Sequence, residues 1–124
     1  MKTVYKVVFH CKETGNRLSA TYHKSNNLKY STDETTVPEF GKIFAFETEE
    51  DALEFCRENL VLHEIWRAET SKTTKPTPYI PKVGNCYRAW WADNCRQVHN
   101  SLYQQATPNG TIWCDDLILI EKVE

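Results

Sequence analysis

The chain has 124 residues, of which 26% are charged, and a formal net charge of −2 at pH 7. This length favours a single domain over residues 1–124, and the slight negative charge argues against a polymeric nucleic acid as partner, since such partners normally select a basic stripe. No apolar run approaches the ~20 residues of a membrane span, and the N-terminal sequence lacks a signal-peptide pattern. We therefore expect no membrane partner and a location in the cytoplasm.

The first elements in chain order are the two strands of a predicted β-hairpin. Residues 3–10 are rich in β-branched and aromatic side chains and suit a strand near the centre of a sheet. Residues 12–16 have turn chemistry, and apolar and polar side chains alternate over residues 18–23, as in a half-exposed return strand. Residues 28–30 resume the pairing briefly. Residues 31–41 contain a proline and a glycine and are predicted to be an irregular surface segment.

The clearest pattern in the chain predicts a strand, a helix and a second strand. Residues 42–47 alternate with the two-residue period of a strand. Thr48 can then cap a helix by accepting a hydrogen bond from the backbone N–H of Asp51, and three acidic residues follow in the first turn, where the helix dipole favours them. Apolar residues on one stripe predict a helix over about residues 49–60 that packs on a sheet. A second strand-like run covers residues 63–70.

The second half of the chain begins with an extended segment and continues into a second predicted helix. Three prolines in residues 71–82 indicate a semi-rigid strap, either a crossover on the domain surface or an arm that grips a neighbouring subunit. Apolar residues spaced i, i+4, i+7 and i+11 from Trp91 then predict a helix over about residues 92–105. The face in line with Trp91 would pack on the core, which leaves Trp90 and Arg88 for other roles.

The last elements are two predicted strands, residues 111–114 and 117–123. Residues 117–120 are apolar on both faces, which is typical of a central strand covered on both sides. Together the elements predict an α+β fold, with a mostly antiparallel sheet of five or six strands, one packed helix and a second helix. If the helices cover only one face of the sheet, a partner subunit must cover the other. We therefore expect a homo-oligomer.

Aromatic and basic residues are concentrated in one part of the second half. Two adjacent tryptophans, Trp90 and Trp91, cannot both point inward on one element, so one of them lies at an edge, in a pocket or at an interface. A flat ring beside a cation can stack on a nucleobase and pair with a phosphate. The predicted ligand-binding residues are Tyr87, Arg88, Trp90, Arg96, His99 and Tyr103. The alternative is that Trp90 covers the sheet edge or is buried in a subunit contact.

The cysteines offer one weak pattern for a metal. Cys95 and His99 are spaced i, i+4, with Cys86 before them and Cys114 after them, but structural zinc sites normally show two closely spaced ligand pairs. Reduced, packed thiols are the favoured interpretation of the five cysteines, so we expect no metal and no cofactor. The chain also lacks the motifs of nucleophilic catalysis, and we predict no catalytic residue and no enzyme.

Three blocks of the sequence carry a resemblance to known proteins. They are Val-Tyr-Lys-Val-Val (4–8) with Ser19, then Ile-Phe-Ala-Phe-Glu-Thr (43–48) with Glu-Asp-Ala-Leu-Glu-Phe (50–55), and finally Gly-Thr-Ile-Trp-Cys-Asp-Asp-Leu-Ile-Leu-Ile (110–120). The chain resembles small phage and prophage proteins, mostly of unassigned role. This resemblance implies a phage-accessory setting, in the host cytoplasm if a phage encodes the protein.

Some small phage proteins, the Thoeris anti-defence sponges among them, bind cyclic ADP-ribose-type immune signals without cleaving them. The resemblance to this class implies an oligomer with ligand sites between subunits, lined by aromatics and arginines. The order of strands and helix is also similar to that of ADP-ribosyltransferases, although their Arg-or-His, Ser-or-Tyr and Glu triad has no clear counterpart in this sequence.

Three functional hypotheses follow. The first is a non-enzymatic binder that sequesters a small nucleotide-derived signal, either cyclic ADP-ribose-like or a cyclic oligonucleotide. The second is a protein–protein interaction module that inhibits a host factor through a tryptophan at its edge. The third is an enzyme that processes NAD or a nucleotide.

Overall fold

The structure, a computed structural model, describes residues 1–10, 17–19, 29–32, 34–59, 63–82, 87–98 and 104–123, without the side chains of Ser19, Asn59, Tyr87 and Arg88. The fold is α+β, as predicted, with a mostly antiparallel sheet and two helices. The strands are β1 (Lys2–His10), β2 (Arg17–Ser19), β3 (Lys29–Tyr30), β4 (Ile43–Phe46), β5 (Glu64–Thr70), β6 (Thr73–Thr74), β7 (Tyr79–Pro81), β8 (Gln104–Ala106), β9 (Thr111–Cys114) and β10 (Ile118–Lys122). The helices are α1 (Glu49–Asn59) and α2 (Tyr87–Ala92).

In the described part of the chain, eight strands form one sheet in the order β10-β5-β1-β4-β9-β6, with β2 attached to β1 and β3 attached to β2. This is more than the five or six strands predicted, and one strand that was not predicted is the two-residue β6, which lies in the predicted strap. Strand β1 pairs with β5 along its length, from Lys2↔Thr70 to Val8↔Glu64. Its other edge pairs with β4 at Tyr5↔Phe46 and then with β2, which confirms the predicted hairpin.

Helix α1 forms as the sequence predicts, because every signal for it is local. The backbone N–H of Asp51 donates to the Thr48 hydroxyl at 3.1 Å, and that hydroxyl donates to the Asp51 carboxylate at 2.8 Å. Its apolar stripe packs on one face of the sheet, where Ala52 is fully buried beside Ile65 and Phe46. Within the described residues, neither helix combines the length and the apolar character that a bilayer span requires.

The opposite face of the sheet is buried by the chain itself. Tyr30 of β3 belongs to the core on that face, and the segment that follows it forms an isolated bridge, Thr36↔Leu117, beside the start of β10. Leu117 and Leu119 are 0% and 1% exposed. A partner subunit is therefore not needed to cover these two side chains.

Among the strands that the structure describes, β10 lies at the edge of the sheet, so the prediction of a central strand over residues 117–120 is wrong. The apolar run has one buried face, formed by Leu117 and Leu119, whereas Ile118 is half-buried and Ile120 is 38% exposed. A register shift between Leu119 and Glu121 interrupts the pairing with β5. Bulges of this kind are common at sheet edges, where they discourage pairing with another chain.

The second helix is displaced from its predicted position. Helix α2 ends at Ala92, and the chain then turns through Asn94 and Cys95, whose φ angles of 53° and 59° are left-handed. Such angles do not continue a right-handed helix. Residues 96–98 have no regular structure and β8 begins at Gln104, so the predicted helix over residues 92–105 is wrong at both ends of that range; residues 99–103 lie outside the described residues. The predicted strap, residues 71–82, crosses the molecule and contributes β6 to the large sheet and β7 to a small one with β8.

Candidate functional site

Three tryptophans and a phenylalanine meet where α2 covers β4 and β9. The Trp91 ring lies 4.9 Å from both the Trp90 and the Trp113 ring centroids, and Trp90 lies 5.9 Å from Trp113 in an edge-to-face arrangement. Phe44 stacks on Trp113 at 5.9 Å with an interplanar angle of 20°. The cluster also contains Ile80 of β7. We call Trp90, Trp91, Trp113, Phe44, Ile80 and the half-buried Cys95 the tryptophan cluster.

The sheet provides the floor of this cluster. Phe44 and Trp113 are direct cross-strand partners in the antiparallel pair β4–β9, so their rings share a face. Phe44 is two residues from Phe46, which contacts Phe55 of α1, so α1 and α2 cover the same face of the sheet. The sequence analysis did not include Phe44 or Trp113 in the site. The alternation in residues 42–47 placed Phe44 on a face with Phe46, but no local signal pairs it with Trp113.

The two adjacent tryptophans have the reverse of their predicted roles. Trp90 is 6% exposed, and its indole N–H donates to the backbone carbonyl of Arg96 at 3.3 Å, whereas Trp91 is only half-buried. The prediction that Trp91 faces the core and leaves Trp90 free rested on a helix that does not form. Trp91 is therefore the tryptophan whose ring is available at the surface.

Trp91 lies directly against the backbone of the segment that leads into β4. Gly41 has a φ of +66°, and a Cβ at this position would overlap the Trp91 indole. Glycine is required here both for the left-handed backbone and for the close approach of the ring. Gly41 thus holds the Trp91 ring from one side. The Trp91 and Phe44 rings meet edge-to-face, with their centroids 6.1 Å apart.

The loop after α2 is held by side-chain amides. The Gln97 amide accepts from the Tyr79 backbone N–H at 2.8 Å and donates to the Cys95 carbonyl at 2.7 Å. The Gln104 amide accepts from the Val98 N–H at 2.9 Å and donates to the Arg96 carbonyl at 2.8 Å. The Arg96 carbonyl thus accepts two hydrogen bonds, the second from Trp90, while the Arg96 side chain is exposed. The backbone that carries this guanidinium is fixed.

One donor inside the cluster is unsatisfied. The Trp113 indole N–H is buried and has no hydrogen-bond partner in the described part of the chain, and the residue is 7% exposed. A buried donor without a partner costs about 1–3 kcal/mol.

Of the predicted ligand-binding residues, the structure brings together Trp90 and Arg96. Tyr87 and Arg88 begin α2, and only their backbone is described. His99 and Tyr103 lie outside the described residues. These four residues therefore keep the status of predictions.

The described cysteines are free thiols in packed surroundings. Burial raises the pKa of Cys95, which belongs to the tryptophan cluster. Burial also raises the pKa of Cys114, against the opposing effects of a hydrogen bond from Thr70 and the charge of Lys6. Cys86 and His99, two of the four residues considered for a metal, lie outside the described residues, and no group of three potential metal ligands occurs among those described.

Comparison with known proteins finds no matching family model, no matching curated protein and no matching solved structure.

Proposed function

We propose that this chain is a phage-type accessory protein that binds a small nucleotide-derived immune signal, of the cyclic ADP-ribose or cyclic oligonucleotide class, and sequesters it without converting it. The observation that carries the proposal is the half-buried Trp91 ring together with the exposed Arg96 side chain, which lies five residues along the chain on a backbone held by Trp90 and Gln104. An aromatic ring and a guanidinium are the two kinds of group that a base and a phosphate require.

The physical support is preorganisation. Stacking of one base on an aromatic ring contributes ~1–3 kcal/mol. Trp91 is held against Gly41 and Phe44, so little rotational freedom is lost when a ligand stacks on it. The backbone of Arg96 is fixed by Trp90 and Gln104 in the same way.

Binding without turnover fits the groups at hand. The described residues of the cluster are rings, an aliphatic side chain and the Cys95 thiol. Because burial raises the pKa of Cys95, this residue stays a thiol at neutral pH and is a poor nucleophile. Tyr87, Arg88, His99 and Tyr103 stay predicted ligand-binding residues on the strength of the sequence alone.

A ligand screen tests the proposal. Purified protein is mixed with cyclic ADP-ribose isomers and with cyclic dinucleotides, and the melting temperature and the calorimetric stoichiometry are measured. A ligand at 100 times its dissociation constant adds about 2.7 kcal/mol to the free energy of unfolding, so a clear rise in melting temperature is expected. Mass spectrometry after heat denaturation should recover the ligand intact. The absence of a thermal shift with all of them would contradict the proposal.

Two variants locate the site. Arg96→Gln should weaken binding about tenfold or more, since a hydrogen bond to a charged group contributes about 1.5–3 kcal/mol. Arg57→Gln is the matched control, because Arg57 is also exposed but lies in the last turn of α1. Trp91→Phe should reduce stacking and keep the contact with Phe44. Equal affinities for Arg96→Gln and the control would remove Arg96 from the site.

The same samples test the alternatives. Consumption of NAD at catalytic protein concentration would identify an enzyme and contradict sequestration. Binding of a host protein that is lost in Trp91→Ala would instead support an interaction module. The proposal also includes a homo-oligomer with ligand sites between subunits, and a strict monomer by light scattering, with and without ligand, would contradict that part.

A further inference from the structure

Glu64, at the start of β5, is surrounded by donors and cations from several strands. One carboxylate oxygen accepts from the Arg17 Nε and from the Trp66 indole N–H, both at 3.0 Å. The other oxygen lies 3.4 Å from the Lys122 Nζ and 3.6 Å from the His10 Nδ1. We call Glu64, Arg17, Trp66, Lys122 and His10 the Glu64 cluster.

Strand pairing brings these residues together from four parts of the chain. His10 of β1 is the cross-strand partner of Arg17 in β2. Lys122 of β10 is the partner of Trp66 in β5, and Glu64 is the partner of Val8 in β1. The cluster therefore rests on the long β1–β5 ladder. Positions fixed by a sheet are better suited to hold a binding geometry than positions on a loop.

The charges of the cluster do not cancel. Arg17 and Lys122 carry two permanent positive charges around the single carboxylate, and His10 adds an imidazole. Burial alone would raise the pKa of Glu64, but hydrogen bonds from Trp66 and Arg17, together with the charges of Arg17 and Lys122, lower it below its usual value. The carboxylate therefore stays ionised at neutral pH, and the local balance is positive.

The cationic side chains of the cluster are partly exposed. Arg17 donates to Glu64 through Nε and lies over the Trp66 ring at 4.8 Å, so its position is fixed, while no hydrogen bond from its two terminal amino groups is seen within the described residues. The Arg17, His10 and Lys122 side chains are 29%, 39% and 52% exposed, whereas that of Glu64 is 14% exposed. The carboxylate is thus less exposed than the three basic side chains around it.

We infer that the Glu64 cluster binds a phosphate group. Arg17, Lys122 and His10 contact the anion, and Glu64 positions these three side chains. A guanidinium held through Nε presents its two amino groups as a fork that matches two phosphate oxygens. An anion above the cluster also offsets the repulsion between neighbouring cations. Trp66 lies on the sheet face opposite the tryptophan cluster, since its neighbour Ile65 packs with α1. The inference is thus independent of the proposed function.

A phosphate titration followed by NMR tests this site directly. The resonances of the Trp66 indole N–H and the Arg17 Nε–H are recorded against inorganic phosphate at constant ionic strength. Both should shift and saturate below about 10 mM phosphate, while the Trp113 indole N–H should not move. AMP and adenosine form the second arm. Equal shifts with AMP and none with adenosine indicate that a phosphate ester is accepted, and shifts with inorganic phosphate alone restrict the site to the free ion.

The variants use a control matched in exposure. Lys122→Gln should weaken phosphate binding at least about fivefold. Lys2→Gln should not, although Lys2 is 51% exposed and also pairs with a glutamate, Glu47. Arg17→Lys keeps the charge and loses the fork, and it should weaken binding further, with circular dichroism showing that the fold is kept. Absence of saturable shifts at Trp66 and Arg17, or equal losses in Lys122→Gln and Lys2→Gln, would overturn the inference.

Discussion

Lys6 places a primary amine in the core of the sheet. Lys6 is 5% exposed. Its Nζ donates to the Phe44 carbonyl at 2.5 Å and lies 5.4 Å from the centroid of the Tyr30 ring. Burial lowers the pKa of Lys6 to about 8, although the charge of Cys114 acts in the opposite direction.

This pKa predicts an unusual dependence of stability on pH. Between pH 8 and 10.5 the unfolded chain keeps the Lys6 proton and the folded chain loses it, so the free energy of unfolding rises with pH. Relative to Lys6→Met, the wild type should gain about 1 kcal/mol between pH 7 and 9. Urea denaturation of both proteins at pH 7, 8 and 9 measures this difference. Lys2→Met, at an exposed position, should show no such trend, and a constant difference for Lys6→Met would contradict the buried charge.

Gly41 offers a second prediction at the scale of one residue. Gly41→Ala should cost about 1–3 kcal/mol, since it strains a left-handed backbone and displaces the Trp91 ring. Gly110→Ala is the matched control, because Gly110 has a φ of +77° and its added Cβ would meet the Asp51 carboxylate instead. Both variants should lose stability in urea. Only Gly41→Ala should shift the tryptophan fluorescence and weaken ligand binding. Identical fluorescence spectra for the two variants would show that Gly41 does not support the candidate site.

At the scale of elements, the sequence predicts α1 well and α2 poorly. The signals for α1, namely its cap, its acidic first turn and its apolar stripe, all lie within a few residues of one another. The end of α2 is set by the left-handed Asn94 and Cys95, and side-chain periodicity does not reveal such backbone angles. The candidate site was found through its local composition of rings and cations. Its floor, Phe44 and Trp113, depends on strand pairing between distant segments, which a local pattern does not determine.

The cap of α1 gives a prediction for a single element. Thr48→Ala removes the acceptor of the Asp51 N–H and should destabilise the protein by about 1 kcal/mol. Thr74→Ala, at an exposed position in β6, is the control and should change the free energy of unfolding much less. Urea denaturation distinguishes them. If both variants are equally stable, the observed hydrogen bond does not contribute to helix stability.

At the scale of the whole molecule, the two sites depend on different parts of the fold. The tryptophan cluster joins α2 and β7 to the face that α1 also covers. The Glu64 cluster lies where β1, β2, β5 and β10 meet, with Trp66 on the other face. Strand β5 is paired on both edges, whereas the pairing of β7 in the described residues is with β8 alone. Local opening should therefore differ between the two regions.

Hydrogen exchange can measure that difference. In the free protein, the amides of β7 and β8 should exchange at least about tenfold faster than those of β5, since few ladder contacts hold the small sheet. A nucleotide ligand at the tryptophan cluster should slow exchange in α2, β7 and β8, because it binds only while these three elements are folded. Exchange in β5 should stay unchanged. Phosphate at the Glu64 cluster should slow exchange in β2 and at the end of β1, with no effect on β7. Uniform protection by either ligand would mean that the molecule opens as a whole, and the two sites would then be coupled through global stability.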